Sequence, residues 1–229
     1  MTKQYFNFEE VFSFSWTKAK QHAWFLACMF IIYAIIMSAV RLVPVLEQLV
    51  MVLVVLSLLS MSLIMVKGES FSFESLFNRL RSPHLVIKFL VLTVIYVAAV
   101  SAFVIPFMAA ITVTLGTVFF NGLTSISWKL IMALLATFAM LLPGMYVAIR
   151  FKFYPYVLLE HENMKILDII KHSYNLTCCV FWRLLGFFIL VALLNTLGVL
   201  AFGFGLVLTL PVSILAIAHL YRKLEVHAH

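Results

Sequence analysis

The fold of this chain is decided by a stretch without Lys, Arg, Asp or Glu, LLGFFILVALLNTLGVLAFGFGLVLTLPVSILAIAHLY, which runs from Leu184 to Tyr221. Its 38 residues are too many for one membrane crossing, because about 20 apolar residues span the hydrocarbon as a helix. Arg183 precedes it and Arg222 follows it. Since both flanks are basic, they belong on one side of a membrane. The stretch therefore predicts two helices, approximately 183–202 and 206–221, joined at Gly203–Gly205.

Four further apolar stretches extend the same pattern toward the N-terminus. The chain is 65% hydrophobic and only 11% charged, whereas soluble domains carry about 25% charged residues. This composition excludes an ordinary soluble domain. We therefore predict an all-α, polytopic integral membrane protein that forms a single transmembrane domain over residues 1–229. Its six transmembrane helices are the two above and four predicted at approximately 22–42, 45–66, 85–112 and 129–149.

Basic residues fall in alternate gaps between the apolar stretches. Fourteen of the 16 Lys and Arg residues lie in gaps on one side, and the other side keeps only Arg41 and Lys129. Cytoplasmic loops retain Lys and Arg, so this positive-inside bias predicts an N-in/C-in topology in a bacterial inner membrane. The net charge of +7 is spread over short loops that flank the membrane. It therefore indicates contact with membrane lipids and not with nucleic acid.

Three segments on the basic side are predicted to form short amphipathic interfacial helices, at approximately 7–20, 72–82 and 164–177. Phe6–Phe12 reads FNFEEVF and is echoed by FSFESLF at Phe71–Phe77. Asn7 and Glu10 have the spacing of a helix N-terminal capping box. In the third segment, an apolar stripe at helical spacing is separated from Lys165, Asp168 and Lys171; its members are Ile166, Ile169, Ile170 and Ser173.

The echo leaves two interpretations open. A unit of one interfacial helix and one two-helix hairpin, used three times, would be an internal duplication of the kind found in transporters. Convergence is the other interpretation, because any interfacial helix needs aromatic residues and a cap.

The Thr-, Ser- and Gly-rich stretch from Val113 to Trp128 predicts an exterior loop.

No arrangement of residues in the sequence indicates catalysis. There is no G-x-S-x-G motif, and His161-Glu162 lacks the second histidine of H-E-x-x-H. The three cysteines lack metal-ligand spacing. We therefore predict a protein that is not an enzyme, with no catalytic, cofactor-binding or metal-binding residue and no cofactor.

Five polar residues are candidates for structural or lipid-contact roles: Arg150, Lys152, Glu160, Asn195 and His219. Arg150 could brace Glu160, contact a lipid phosphate, or extend toward the interface while Glu160 is solvated. Asn195 could form a hydrogen bond across helices. His219 is either an interfacial histidine or part of a proton relay.

The chain from Arg150 to Leu224 resembles a broad set of bacterial multipass membrane proteins. They are related to the membrane domain attached to some glycerophosphodiester phosphodiesterases. The matching features include Arg150, Pro155 and Glu160, the segment Ile169–Leu176, Trp182–Leu185, the Gly198/Gly203/Gly205 hairpin, Pro211, and Tyr221–Leu224. No phosphodiesterase domain is present in this sequence, so the resemblance implies a membrane module and not that activity.

Two functional hypotheses remain. The first is a non-enzymatic scaffold or envelope-maintenance factor, with membrane lipids and a protein at the cytoplasmic face as partners. The alternative is a carrier or channel for a lipid or small apolar solute. Its support is the echo together with three spans that contain proline, at Pro106, Pro143 and Pro211.

Overall fold

The computed structural model describes residues 7–21, 31–33, 35–36, 38–39, 44–68, 82–121, 128–178, 180–200 and 205–228. Within these ranges the chain forms helices and turns, and no strand, so the all-α prediction is confirmed there. The helices are α1 (Phe8–Gln21), α2 (Pro44–Lys67), α3 (Pro83–Asn121), α4 (Trp128–Arg150), α5 (Tyr154–Glu160), α6 (Ile166–Thr177), α7 (Phe181–Leu200) and α8 (Leu206–Ala228).

Four stretches of the described residues are long and apolar enough to cross a membrane. They are Val50–Lys67, Pro83–Gly116, Leu135–Glu160 and Phe181–Leu200. Length and composition alone identify them, and they are consistent with the helical membrane protein that the sequence predicts. The predicted first span, 22–42, lies largely outside the described residues. The same holds for the interfacial segment 72–82, for the second copy of the Phe-rich echo and for most of the turn at 203–205.

The predicted boundaries of α2 and α4 lie close to the observed ones, but α3 is longer than predicted. It continues past Thr112 to Asn121, so the exterior loop predicted from Val113 onward is helical as far as Asn121. The side chains explain the difference. Thr112 Oγ1 donates to the Met108 carbonyl at 2.8 Å, and Thr114 Oγ1 donates to the Ala110 carbonyl at 2.7 Å. Because the helix itself satisfies these hydroxyls, they do not favour a loop.

Two further differences affect the candidate site. The sequence analysis does not predict α5. Pro155 lies in its first turn, where proline needs no N–H donor. Helix α8 continues beyond the predicted end at Tyr221 to Ala228, and this extension carries Arg222, Lys223 and Glu225. Helix α2 ends at Lys67 because Gly68 adopts a positive φ of 75°.

The three prolines inside long helices do not break them. Helices α3, α4 and α8 run through Pro106, Pro143 and Pro211 respectively. Neighbouring groups can satisfy the backbone that a proline frees in a membrane helix.

The chain divides into two compact units, Met1–Leu90 with Phe153–His229, and Val91–Lys152. In the first unit α8 is the central helix, packed against α1, α2, α6 and α7. Ala216 and Ala218 of α8 are fully buried, and such small side chains let membrane helices approach closely. Helix α5 packs against α2 and α6. This arrangement brings the polar ends of several helices together.

The second unit contains most of α3 together with α4. The Phe107 and Phe138 rings pack edge to face with centroids 6.2 Å apart. The Tyr96 hydroxyl donates to the Ala148 carbonyl at 3.4 Å. Many apolar side chains of α3 are exposed, including Ile105 at 66%, which suits a helix that faces lipid.

Candidate functional site

Glu160, at the end of α5, is the centre of a polar cluster in the first unit. Lys67 Nζ lies 2.7 Å from Glu160 Oε1, and Arg222 Nη1 donates to the same oxygen at 3.2 Å. The Tyr221 hydroxyl donates to Oε2 at 2.7 Å. One carboxylate, with only 8% of its side chain exposed, thus joins the ends of α2 and α5 to α8.

A second carboxylate, that of Glu225, lies one turn after Tyr221 on α8 and contacts two histidines. His172 Nε2 of α6 lies 3.1 Å from Oε1 and 3.2 Å from Oε2. His161 Nε2 lies 3.7 Å from the same Oε1. The two imidazole rings are edge to face, with centroids 5.9 Å apart. Within the described part of the chain, these three side chains form a group that could hold a metal ion.

The loop that carries His161 is fastened by Lys88 at the start of α3. Lys88 Nζ donates to the carbonyl of Glu162 at 2.8 Å and to that of Met164 at 2.9 Å. The His161 backbone N–H donates to the Val157 carbonyl at 2.9 Å. These bonds satisfy carbonyls that the connection between α5 and α6 would otherwise leave without partners.

Helix α1 lies against α8 beside this cluster. Val11 and Ser15 are fully buried, and the Ser15 hydroxyl donates to the Val11 carbonyl at 2.7 Å, so its burial leaves no unsatisfied polar atom. Phe14 stacks on His219 with centroids 4.1 Å apart. The burial of Val11 and Ser15 and the stacking of Phe14 on His219 hold α1 against α8.

An ion pair at the surface also joins α1 to α8. Glu10 Oε1 of α1 lies 2.5 Å from Lys223 Nζ of α8. The Lys223 ammonium donates a hydrogen bond to the Glu10 carboxylate and attracts its charge, which lowers the pKa of Glu10 below its ordinary value. The pair therefore sets the register of α1 on α8 more than it adds stability.

The predicted candidates are distributed over both units. Arg150 belongs to the second unit and is 6% exposed, with its guanidinium carbon 4.8 Å from the centre of the Tyr146 ring. Lys152 lies in the turn that follows α4. Glu160 belongs to the first unit, where Lys67 and Arg222 are its cationic contacts.

The other two candidates lie on the helices of the long apolar stretch. Asn195 of α7 accepts a hydrogen bond from the Ser213 hydroxyl of α8 at 3.2 Å, so it bonds across helices. Thr196, beside it, donates instead to the Ala192 carbonyl of its own helix at 2.8 Å. His219 is stacked on Phe14.

Sequence reasoning missed His172, Tyr221 and Glu225 as site residues. It considered His161 only as part of a failed H-E-x-x-H motif. The separations in sequence fit no metal or catalytic motif, since His172 and Glu225 are 53 residues apart. Their placement on the predicted cytoplasmic side was the one available signal. No known protein family, curated protein or solved structure matches the chain.

Proposed function

We propose that this chain is a non-enzymatic multipass protein of the bacterial inner membrane that acts as a membrane scaffold or envelope-maintenance factor. The observation that carries the proposal is the docking of α1 on α8, with Val11 and Ser15 fully buried. A helix outside the predicted spans is thereby part of the folded first unit. Its outer face is an ordered surface at the membrane boundary, available to lipid head groups and to a protein partner.

The proposed topology is six spans with both termini cytoplasmic. Its support is the mutual contact of residues that the positive-inside pattern assigns to one side. Glu160 contacts Lys67 and Arg222, and Glu10 contacts Lys223. Charges assigned to opposite sides of a membrane could not pair in this way. The polar clusters therefore support the sidedness derived from Lys and Arg placement.

The exposed face of α1 has the chemistry of a membrane interface. Trp16 is 44% exposed, and Lys20 Nζ lies 5.3 Å from the centre of its ring. On α6, Leu167 is 72% exposed beside the exposed Lys171. Aromatic and apolar residues flanked by lysines favour the boundary between head groups and acyl chains, where anionic lipids attract the basic side chains.

The carrier alternative draws less support from the geometry. Carriers often place substrates at broken helices near the membrane midplane, whereas α3, α4 and α8 continue through their prolines. The scaffold proposal is therefore the better supported.

Cysteine labelling tests the topology. In a variant with serine at Cys28, Cys178 and Cys179, single cysteines are introduced by Lys20→Cys, Asn163→Cys and Gln48→Cys. A membrane-impermeant maleimide added to intact spheroplasts should label Gln48→Cys alone, and the other two should react only after lysis. Labelling of Lys20→Cys or Asn163→Cys in intact spheroplasts would overturn the proposed sidedness.

Two phenylalanine substitutions on opposite faces of α1 test the scaffold role. Ser15→Phe places a ring in the buried contact with α8, where overpacking costs about 1–3 kcal/mol. Ser13→Phe is the matched control, because Ser13 is exposed. Each variant is purified in nanodiscs from native membranes, and bound proteins and lipids are identified by mass spectrometry.

Ser15→Phe should lose a stoichiometric protein that the wild type and Ser13→Phe both retain. Recovery of the same proteins with both variants would contradict the scaffold proposal. A stoichiometric lipid without any stoichiometric protein would favour the carrier.

A further inference from the structure

We propose that His161, His172 and Glu225 bind one divalent transition-metal ion of the zinc class. Each residue offers one ligand atom, and the three atoms all lie within 4.8 Å of one another. They come from three separate segments: the connection after α5, the middle of α6 and the extension of α8. The proposal is independent of the scaffold role.

Two of the three distances between the ligand atoms are close to those of a zinc site. In a tetrahedral zinc site with metal–ligand bonds of about 2.0–2.2 Å, the ligand atoms lie about 3.3–3.6 Å apart. The Oε1 of Glu225 lies 3.1 Å from His172 Nε2 and 3.7 Å from His161 Nε2. The two imidazole nitrogens lie within 4.8 Å of each other, so an ion bound among the three atoms would draw them together by up to about 1.5 Å.

The donor set selects the class of metal. Two imidazole nitrogens and one carboxylate oxygen suit Zn²⁺ and neighbouring transition metals, whereas Mg²⁺ and Ca²⁺ prefer oxygen ligands throughout. Three protein ligands leave a fourth position for water. The His161 side chain is 41% exposed, while that of Glu225 is only 10% exposed. The site is therefore open to solvent on the His161 side.

The surrounding contacts hold the ligands in place before an ion arrives. Lys88 bonds to the carbonyls of Glu162 and Met164, directly after His161. The α5 cap bond from the His161 N–H to the Val157 carbonyl fixes the same residue from the other side. Because this backbone position is already fixed, metal binding loses less conformational entropy in ordering His161.

Three cations of the same unit already have other partners. Lys67 and Arg222 pair with Glu160, and Lys88 is bonded to loop carbonyls. The hydrogen bond between His172 and Glu225 is enough to explain the position of His172 without a metal ion. The approach of a second imidazole nitrogen to the same carboxylate oxygen is what points to a shared cation. Such an ion would join α6 and the loop before it to α8.

Zinc binding by the full-length chain tests the proposal. The protein is purified in detergent with a tag that contains no histidine, stripped with chelator, incubated with Zn²⁺ and separated from free metal. Elemental analysis should find one Zn²⁺ per chain. His161→Ala, His172→Ala and Glu225→Gln should each weaken the affinity for Zn²⁺ at least tenfold.

His84→Ala and His227→Ala are the controls. His84 is exposed on α3, and His227 tests the histidines near the C-terminus. Both variants should bind Zn²⁺ like the wild type. Equal loss in either control, or wild-type affinity in all three ligand variants, would overturn the site.

Cobalt provides a measurement that does not depend on the folding of any variant. Co²⁺ bound to the stripped wild type should give the intense visible absorption of a four-coordinate ion, and Zn²⁺ should abolish it at one equivalent. A weak spectrum like that of hydrated Co²⁺, or the lack of stoichiometric Zn²⁺ in the wild type, would overturn the proposal.

Discussion

The Tyr221 hydroxyl donates a 2.7 Å hydrogen bond to Glu160 Oε2, which fastens the C-terminal half of α8 to the end of α5. Tyr221 is fully buried and stacks on Tyr156 with ring centroids 5.4 Å apart. The other carboxylate oxygen of Glu160 contacts Lys67 and Arg222. These contacts join three helices, α2, α5 and α8, through the side chain of Glu160.

Replacing Glu160 should therefore destabilise the protein more than replacing its tyrosine partner. Glu160→Gln keeps the shape of the side chain but leaves Lys67 and Arg222 without their shared anion. We expect the free energy of unfolding to fall by about 1.5–3 kcal/mol, the contribution of hydrogen bonds to charged groups. Tyr221→Phe removes only one of the contacts of Glu160 and should cost about 1.5 kcal/mol, the lower end of that range. Unfolding of both variants in detergent measures the difference, and equal stability of Glu160→Gln and wild type would contradict the prediction.

The same cluster shows what the sequence could and could not predict. Glu160 was a candidate residue from its place after Arg150 and Pro155, but its observed cationic contacts are Lys67 and Arg222. They come from distant parts of the chain because helix packing, not nearness in sequence, decides which ends meet. Hydropathy predicts that helices exist and roughly how long they are. It carries no information on which of their polar ends come together.

The predicted end of α3 was wrong because polar side chains there bond to their own helix. The Thr112 and Thr114 hydroxyls bond to carbonyls one turn back, so α3 continues through a stretch with the composition of a loop. The histidine–glutamate cluster was missed for another reason. His161, His172 and Glu225 have no motif spacing, and the packing of α5 against α6 and of α6 against α8 brings them together.

The ion pair between Glu10 and Lys223 predicts a measurable pH dependence. Its hydrogen bond and charge hold the pKa of the Glu10 carboxyl below its ordinary value of 4.5. The pair therefore favours the docked α1 at pH values above 4.5, and this contribution is lost as the pH falls through the lowered pKa. Carbon-13 NMR of labelled glutamate side chains, assigned with Glu10→Gln, should record the low value.

Lys223→Met supplies the comparison for that titration. Without the ammonium group, the pKa of Glu10 should rise toward its ordinary value. An unchanged titration of Glu10 in Lys223→Met would show that the pair does not form in the membrane-embedded protein.

Gly198 of α7 tests the close approach of α7 and α8. A Cβ atom built at Gly198 would lie 2.5 Å from Thr209 Oγ1 and 3.2 Å from the Gly205 carbonyl carbon. Gly198→Ala should therefore cost about 1–3 kcal/mol of stability through overpacking. Gly116→Ala in α3 is the control, because nothing lies within 4 Å of its Cβ position. It should be neutral or slightly stabilising, since alanine is the better helix former. Equal effects of the two substitutions on thermal unfolding would contradict the observed packing.

The Ser213 hydroxyl donates to Asn195 Oδ1 at 3.2 Å and so joins α7 to α8. Removing this bond tests the contribution of polar packing within the apolar stretch that defines the fold. Hydrogen bonds between membrane helices contribute about 0.6 kcal/mol on average. A double-mutant cycle of Asn195→Ala and Ser213→Ala, measured by unfolding in detergent, should give a coupling energy near that size. Thr196→Ala is the matched control, because the Thr196 hydroxyl bonds to Ala192 of its own helix. Its coupling to Ser213→Ala should be close to zero. A coupling of the same size for Thr196 and Asn195 would mean that the cycle reports general loosening of α7 and not this bond.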